Sequence, residues 1–205
     1  MHDDSSTGIP VLQTSRLRLR PYRADDASAM FALYPDPRVM RYWSFPAWTQ
    51  AAQAQAYVAR ATAAASSGEL FPWAIAEVDS DQLIGALTLH SLHVEQRRAE
   101  VGYSLSPEFQ GRGMAAEALR CGLAHAFDAL GLRRIEADVD PRNVASCRLL
   151  ERLGFVREGL LRQRWLVNGE LCDTAFYGLL PEDFLRQASL TFAATTLTIS
   201  RHLLE

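Results

Sequence analysis

Gln110-Gly111-Arg112-Gly113-Met114-Ala115 stands between a strand-like segment and a long run of helix formers. The first N–H groups of a helix have no intrahelical partner, and the helix dipole adds a partial positive charge there. Glycines let the backbone approach a ligand with no Cβ in the way. The residues therefore describe a nest for an anion such as a phosphate, or else a plain tight turn. They are not a dinucleotide fingerprint, because the third glycine and the acidic residue beyond it are missing. All 21 Lys-plus-Arg positions are arginine, which excludes a Schiff-base lysine and the Gly-Lys pair of a P-loop. His90 and His93 end a strand-like run with no third ligand in view, so no metal is assigned. Cys147 has no His or Asp pattern to activate it as a nucleophile.

The elements that must position this turn follow from periodicity. "LQTSRLRLRPY" alternates apolar and polar residues as an outer strand does. "RADDASAMFALY" reads as a helix, "PDPRVMRYWSFPAW" as a proline-broken aromatic loop, and Thr49 as the cap of an Ala-rich helix ended by Gly68. Three strands follow in "LFPWAIAEV", "QLIGALTLHSL" and "RAEVGYSLS". A helix then runs from about Arg112 to Leu130, with Ala115, Leu119, Leu123, Ala126, Phe127 and Leu130 on one stripe and Gly131 as its stop. "RRIEADV" is a strand and "DPRNVASCRLLERLGF" holds a shorter helix. Two last strands flank Asn168-Gly169, a strong hairpin signal. This order predicts one α+β domain, its mixed, mostly antiparallel sheet having seven strands beside about four helices. Residues 1–10 read as a loose segment, 11–184 as the domain and 185–205 as a tail without an assigned role.

Composition bounds the partners. The chain has 205 residues, a formal charge of −3 and a hydrophobic share of 48%. These values suit one globular domain and disfavour nucleic acid as the main ligand. Cys121, Cys147 and Cys172 form no CxxC, which predicts a reducing, cytoplasmic setting. No apolar run reaches membrane-spanning length, and no basic-then-apolar leader opens the chain, so no membrane association is expected.

The glycine turn, taken with "NVASCRLLERLGF", resembles the GNAT superfamily of acetyl-CoA-dependent N-acetyltransferases. "AEVGYSLSPEFQGRGMAAEAL", "SRLRLRPYRADDA" and "PDPRVMRYWS" look most like its RimJ/RimL branch, whose best-known members acetylate the N-termini of ribosomal proteins. The resemblance spans roughly Leu12 to Phe184. It implies a sheet splayed between its fourth and fifth strands, with acetyl-CoA in the cleft. Gln110, Gly113 and Ala115 match the pyrophosphate motif, Gly111, Arg112 and Met114 complete the turn, and Ser104 and Leu105 match the backbone that pairs with the pantetheine arm. Asn143 matches an asparagine that bonds this arm, and reads equally well as a helix N-cap.

Acetyl transfer needs a neutral amine, a polarised thioester and a proton for the leaving thiolate. Glu100, in the strand leading to the turn, is the candidate base, directly or through a water. The alternative is an exposed glutamate paired with Arg97 or Arg98. Ser146 matches the branch's serine and is the candidate proton donor to sulfur, directly or by ordering a water; the alternative is an ordinary first-turn helix serine. The tyrosine that many GNAT members carry in this helix is replaced by Leu150. Tyr42 and Trp43 border the expected acceptor cleft, and Asp173 faces it or pairs with Arg162 or Arg164. The resemblance implies transfer to a primary amine, foremost a protein or peptide N-terminal α-amine. The rivals are a small amine such as a polyamine or aminoglycoside, and a silent acyl-CoA-binding module. A homodimer is compatible with all of these.

Overall fold

The computed structural model describes residues 8–187 and 189–190. Strands β1 (Leu12–Gln13), β2 (Leu17–Arg20), β3 (Phe71–Glu77), β4 (Leu83–His93), β5 (Arg98–Leu105), β6 (Arg134–Val139), β7 (Val156–Val167) and β8 (Glu170–Leu179) make one sheet. Its order is β1-β2-β3-β4-β5-β6-β8-β7. Every neighbouring pair is antiparallel except β5 and β6. The helices are α1 (Asp26–Leu33), α2 (Pro37–Met40), α3 (Ala51–Ser66), α4 (Met114–Asp128) and α5 (Val144–Arg152). A further helical segment starts at residue 181. The α+β class and mixed sheet are as the sequence predicts.

Four local details differ from the sequence reading. The first strand is two strands, giving eight among the described residues, because Thr14 Oγ1 accepts the Leu17 N–H (2.9 Å) and closes a turn. The chain folds back there, with Leu12 opposite Leu19. The proline-broken loop contains α2, with Pro37 in its first turn and Asp36 accepting the Arg38 N–H (2.8 Å) as its cap. The cap of α3 is Gln50 rather than Thr49, and the Gln53 side chain reaches back to both N–H groups. Helix α4 starts at Met114 rather than Arg112, because Gly113 holds a left-handed φ of 77°. Of the segment read as loose, residues 1–7 lie outside the described residues. Ile9 is buried, and the Pro10 carbonyl accepts from Trp73 Nε1 (2.9 Å). Most of the predicted tail, from 191 on, also lies outside the described residues.

Strand alternation gives each face of the sheet its own core. Leu87, Leu89, Val101 and Leu105 pack with Leu119, Leu123 and Ala126 of α4 and Leu149 and Leu150 of α5. Ala74 and Ala86 pack on the opposite face with Met30 and Leu33 of α1 and Ala54, Val58 and Ala61 of α3. A buried ion pair, Arg20 to Asp26 (2.8 Å), ties β2 to α1.

The feature that makes a site is where the pairing stops. β5 and β6 pair only over Arg98–Arg134, Ala99–Ile135 and Glu100–Glu136. Beyond Glu100, β5 continues to pair with β4, while Ala137, Asp138 and Val139 of β6 pair with β8. The sheet parts between its fifth and sixth strands, which are the fourth and fifth of the seven-strand reading. The splay therefore lies where the resemblance implies it.

Candidate active site

At the end of β5 a single 3-10 turn, Pro107–Phe109, leads into the glycine turn. Gly111 and Gly113 both hold left-handed backbone, at φ 73° and 77°. Such values strain any residue with a Cβ. A Cβ built on Gly111 meets nothing within 4 Å, so the glycine leaves open space above the turn. Gln110 is the brace of this turn: its Nε2 donates to the Leu105 carbonyl (2.8 Å). Met114 is buried, and the first N–H groups of α4 open beside the two glycines. Arg112 is exposed, and its guanidinium lies 6.0 Å from the Phe109 ring centroid. This arrangement fits a pyrophosphate: a two-glycine nest at the start of a helix of 15 residues.

The structure adds two residues that local sequence signals do not mark. Arg16, in the turn between β1 and β2, donates through Nε to Glu117 Oε2 (2.7 Å) and through Nη1 to the Arg112 carbonyl (3.1 Å). Glu117 also accepts from Thr14 Oγ1 (2.5 Å). Burial raises the Glu117 carboxyl pKa, but the Thr14 and Arg16 bonds outweigh it and hold the group below its ordinary value. An acid in the first turn of α4 is thereby neutralised next to the phosphate nest.

The free edge of β5 follows from its register. Ser106 donates its N–H to the Ile84 carbonyl (2.8 Å), and the Ser104 carbonyl lies against Gly85. Alternation then turns the backbone groups of Ser104 toward β4, and those of Tyr103 and Leu105 toward the splay. Ser104 is buried and its hydroxyl bonds Tyr34 Oη (3.2 Å). Tyr103 thus joins Leu105 as the backbone that a pantetheine arm would meet.

Across the splay, Asn143 caps α5, its Oδ1 accepting the Ser146 N–H at 3.1 Å. This bond leaves the amide nitrogen without a hydrogen bond among the described residues. Ser146 Oγ lies 2.6 Å from the hydroxyl of Tyr103. Burial pushes the Tyr103 phenol up to about 12 despite the Ser146 bond, so it stays protonated. Leu150 is fully buried in the core. Cys147 is half-buried.

Glu100 lies on the opposite face from Tyr103, across from His90 of β4. Its carboxylate makes no hydrogen bond among the described residues. Arg98, an alternative partner, donates instead to Glu136 (2.7 Å). Burial lowers the His90 pKa, with Glu100 and Asp138 acting against it, so the ring is neutral at pH 7. From the sequence, His90 stands out only as a possible metal ligand beside His93.

These groups meet in a cleft of about 850 Å³, lined by Tyr42, Trp43, Glu100, Tyr103, Asn143 and Ser146 among others. Ser104, Leu105 and the Gln110–Ala115 turn do not line it. Leu105 stands along the free edge of β5 and the turn at the start of α4, where the cofactor arm would approach; Ser104 turns its backbone to β4, so Tyr103 replaces it at that edge. Trp43 packs edge-on against Tyr34 at 5.4 Å, and the Arg41 guanidinium lies over the Tyr42 ring at 5.2 Å. Most carboxylates of the far wall are already paired. Asp138 accepts from Arg164 (2.8 Å) and Thr174 (2.7 Å), Asp140 from Arg142 (2.6 Å), and Glu170 also binds Arg142. Asp173 accepts the Gln163 N–H (2.8 Å) rather than an arginine side chain. Among the described residues, no group of three or more His, Cys, Asp or Glu could hold a metal, and no helix is long and apolar enough to cross a membrane.

Comparison with known proteins places this architecture. The model of the acetyltransferase (GNAT) domain matches residues 16–156. The chain is 37% identical over 172 residues to the N-acetyltransferase YoaA of Bacillus subtilis, described as uncharacterized, covering 84% of this chain and 97% of that protein. It is 27% identical to the spermidine N(1)-acetyltransferase of Escherichia coli K12, over 75% of this chain and 80% of that one. The structure of Mycobacterium smegmatis RimJ in complex with CoA-disulfide superimposes with a TM-score of 0.79 at 26% identity, covering 96% of this chain and 98% of that one. A glycine nest at a helix start, a splayed sheet and a family model covering more than half the chain converge: the protein belongs to the GNAT family, in its RimJ/RimL-like group, and is an acetyl-CoA-dependent N-acetyltransferase.

Proposed function

We propose that the acceptor is the N-terminal α-amine of a protein or peptide. The observation that carries this reading is the state of charge in the cleft. Asp138 is paired with Arg164, and Asp140 and Glu170 share Arg142. Among the described residues Glu100 makes no hydrogen bond and Asp173 accepts only the Gln163 N–H, and Arg41 lines the same space. A polycation needs clustered free carboxylates. One amine beside aromatic walls does not, and Tyr42 and Trp43 supply such walls for a peptide backbone.

The chemistry follows from the residues. The nest at Gly111 and Gly113, with the α4 N-terminus, holds the pyrophosphate. The free edge of β5 and the Asn143 amide hold the pantetheine arm, which sets the thioester in the splay. Glu100, directly or through a water, takes the proton of the attacking amine. An α-amine of pKa about 8 demands much less of such a base than a lysine of about 10.4. Ser146 donates a proton to the departing sulfur. The relationship to a spermidine enzyme makes a polyamine the specific rival.

Free-thiol release separates these readings. A peptide with a free N-terminus should react. The same peptide with a blocked N-terminus and an internal lysine should not, and spermidine and an aminoglycoside should be slower than the free peptide. Faster turnover of spermidine would overturn the choice of acceptor.

A further inference from the structure

A serine is a weak acid for this task. Its alkoxide is a far stronger base than a thiolate whose conjugate acid titrates near 8.5. Ser146 alone would end as an alkoxide, whereas a phenol behind it would leave the less basic phenolate. α5 carries no phenol of its own. One arrives from the other side of the splay: Tyr103 of β5, whose hydroxyl lies 2.6 Å from Ser146 Oγ. Both residues line the cleft that holds Glu100 and Asn143. The backbone of Tyr103 faces the same splay, so one residue of β5 reaches the cofactor space through both its main chain and its side chain.

We propose that Tyr103 is a positioning residue and proton source for Ser146, its phenol donating to Ser146 Oγ and leaving the serine's own proton aimed at the departing sulfur. The proposal rests on the reading of Ser146 as proton donor. The amine nitrogen forms the new C–N bond as the C–S bond breaks and its electron pair passes to sulfur. Sulfur takes the proton of Ser146, and Ser146 takes that of Tyr103. The phenolate regains a proton from solvent, which receives the one released by the amine through Glu100. The protons balance and no further reactant is needed. The same hydrogen bond fixes the Ser146 rotamer, so the donor is already oriented when the thiolate forms.

The test is a double-mutant cycle on the full chain, read by thiol release with acetyl-CoA and the preferred amine. Tyr103→Phe keeps the ring and removes only the hydroxyl. It should lower kcat about 10²-fold, the low end of the range for loss of a proton-transfer group, with KM for acetyl-CoA unchanged. Y103F/S146A should be no slower than S146A, because the two act as one unit. Stabilisation of each variant by acetyl-CoA in thermal unfolding confirms an intact fold and cofactor site. Wild-type kcat in Tyr103→Phe beside a slow Ser146→Ala overturns the proposal, as do multiplicative losses in the double variant. Wild-type kcat in Ser146→Ala overturns the reading beneath it, and the relay with it. A rise in KM with kcat unchanged would make Tyr103 a binding residue only, and would also overturn it.

Discussion

At Asn143 one amide meets two demands. Its oxygen caps α5 through the Ser146 N–H, and its nitrogen is left for the cleft. Two substitutions separate them. Asn143→Asp retains the cap oxygen but replaces the donor with a charge, so stability should hold while acetyl-CoA affinity falls. Asn143→Ala should lose both, with a stability cost of about 1 kcal/mol. Thermal unfolding and calorimetric titration with acetyl-CoA distinguish the pair. Equal affinity in wild type and Asn143→Asp would assign the residue to the cap alone. Tyr103 shows what sequence reading could not reach at this scale. It lies 43 residues from Ser146, and nothing in "EVGYSLS" marks which side chain will cross the splay.

Among elements, the turn before α4 was legible because its demands are local. Left-handed backbone at positions 111 and 113 calls for glycine, and the sequence supplies it. The hairpin at Asn168-Gly169 was legible for the same reason, with both residues at positive φ. What props the turn was not legible, since Arg16 and Glu117 meet across 101 positions. The break between β1 and β2 was hidden too, because alternation continues through it and only the Thr14 side chain closes the turn. This prop has a pH signature. The folded-state Glu117 pKa lies below its ordinary value, so its stabilisation is complete above the usual glutamate range, near pH 4.3, and is lost as pH falls through the depressed value. Glu117→Gln should therefore be less stable than wild type at pH 7, by no more than about 1 kcal/mol for a pair this exposed. The difference should begin to shrink near the ordinary glutamate value and vanish only below the depressed folded-state value. Melting curves of the two proteins from pH 7 to pH 3 check this, and a gap that widens in acid would contradict it.

Over the whole molecule, the splay divides labour between the two faces of one sheet. The face covered by α4 and α5 brings the nest, the free edge of β5 and the Tyr103–Ser146 pair. The face covered by α1, α2 and α3 brings Glu100 with the aromatic wall of Tyr42 and Trp43. On the proposed reading, the cofactor and the amine approach from opposite sides and meet where β5 and β6 part. The α+β class and the position of the splay were readable from the order of elements and the resemblance. The charge of the cleft was not. Asp138 lies near the end of β6 and Asp140 just beyond it, outside the residues read as the cleft border; Asp140 pairs with Arg142 two positions on, but Asp138 pairs with Arg164 across 26 positions. The measurement that tests the account most directly uses one peptide bearing both a free N-terminal α-amine and an internal lysine. The peptide is incubated with acetyl-CoA and the protein, and the acetylated position is read by fragmentation mass spectrometry. The expected product carries the acetyl group on the α-amine with the lysine unmodified. Acetylation of the lysine, or none beyond the enzyme-free control while spermidine is acetylated, would contradict this reading.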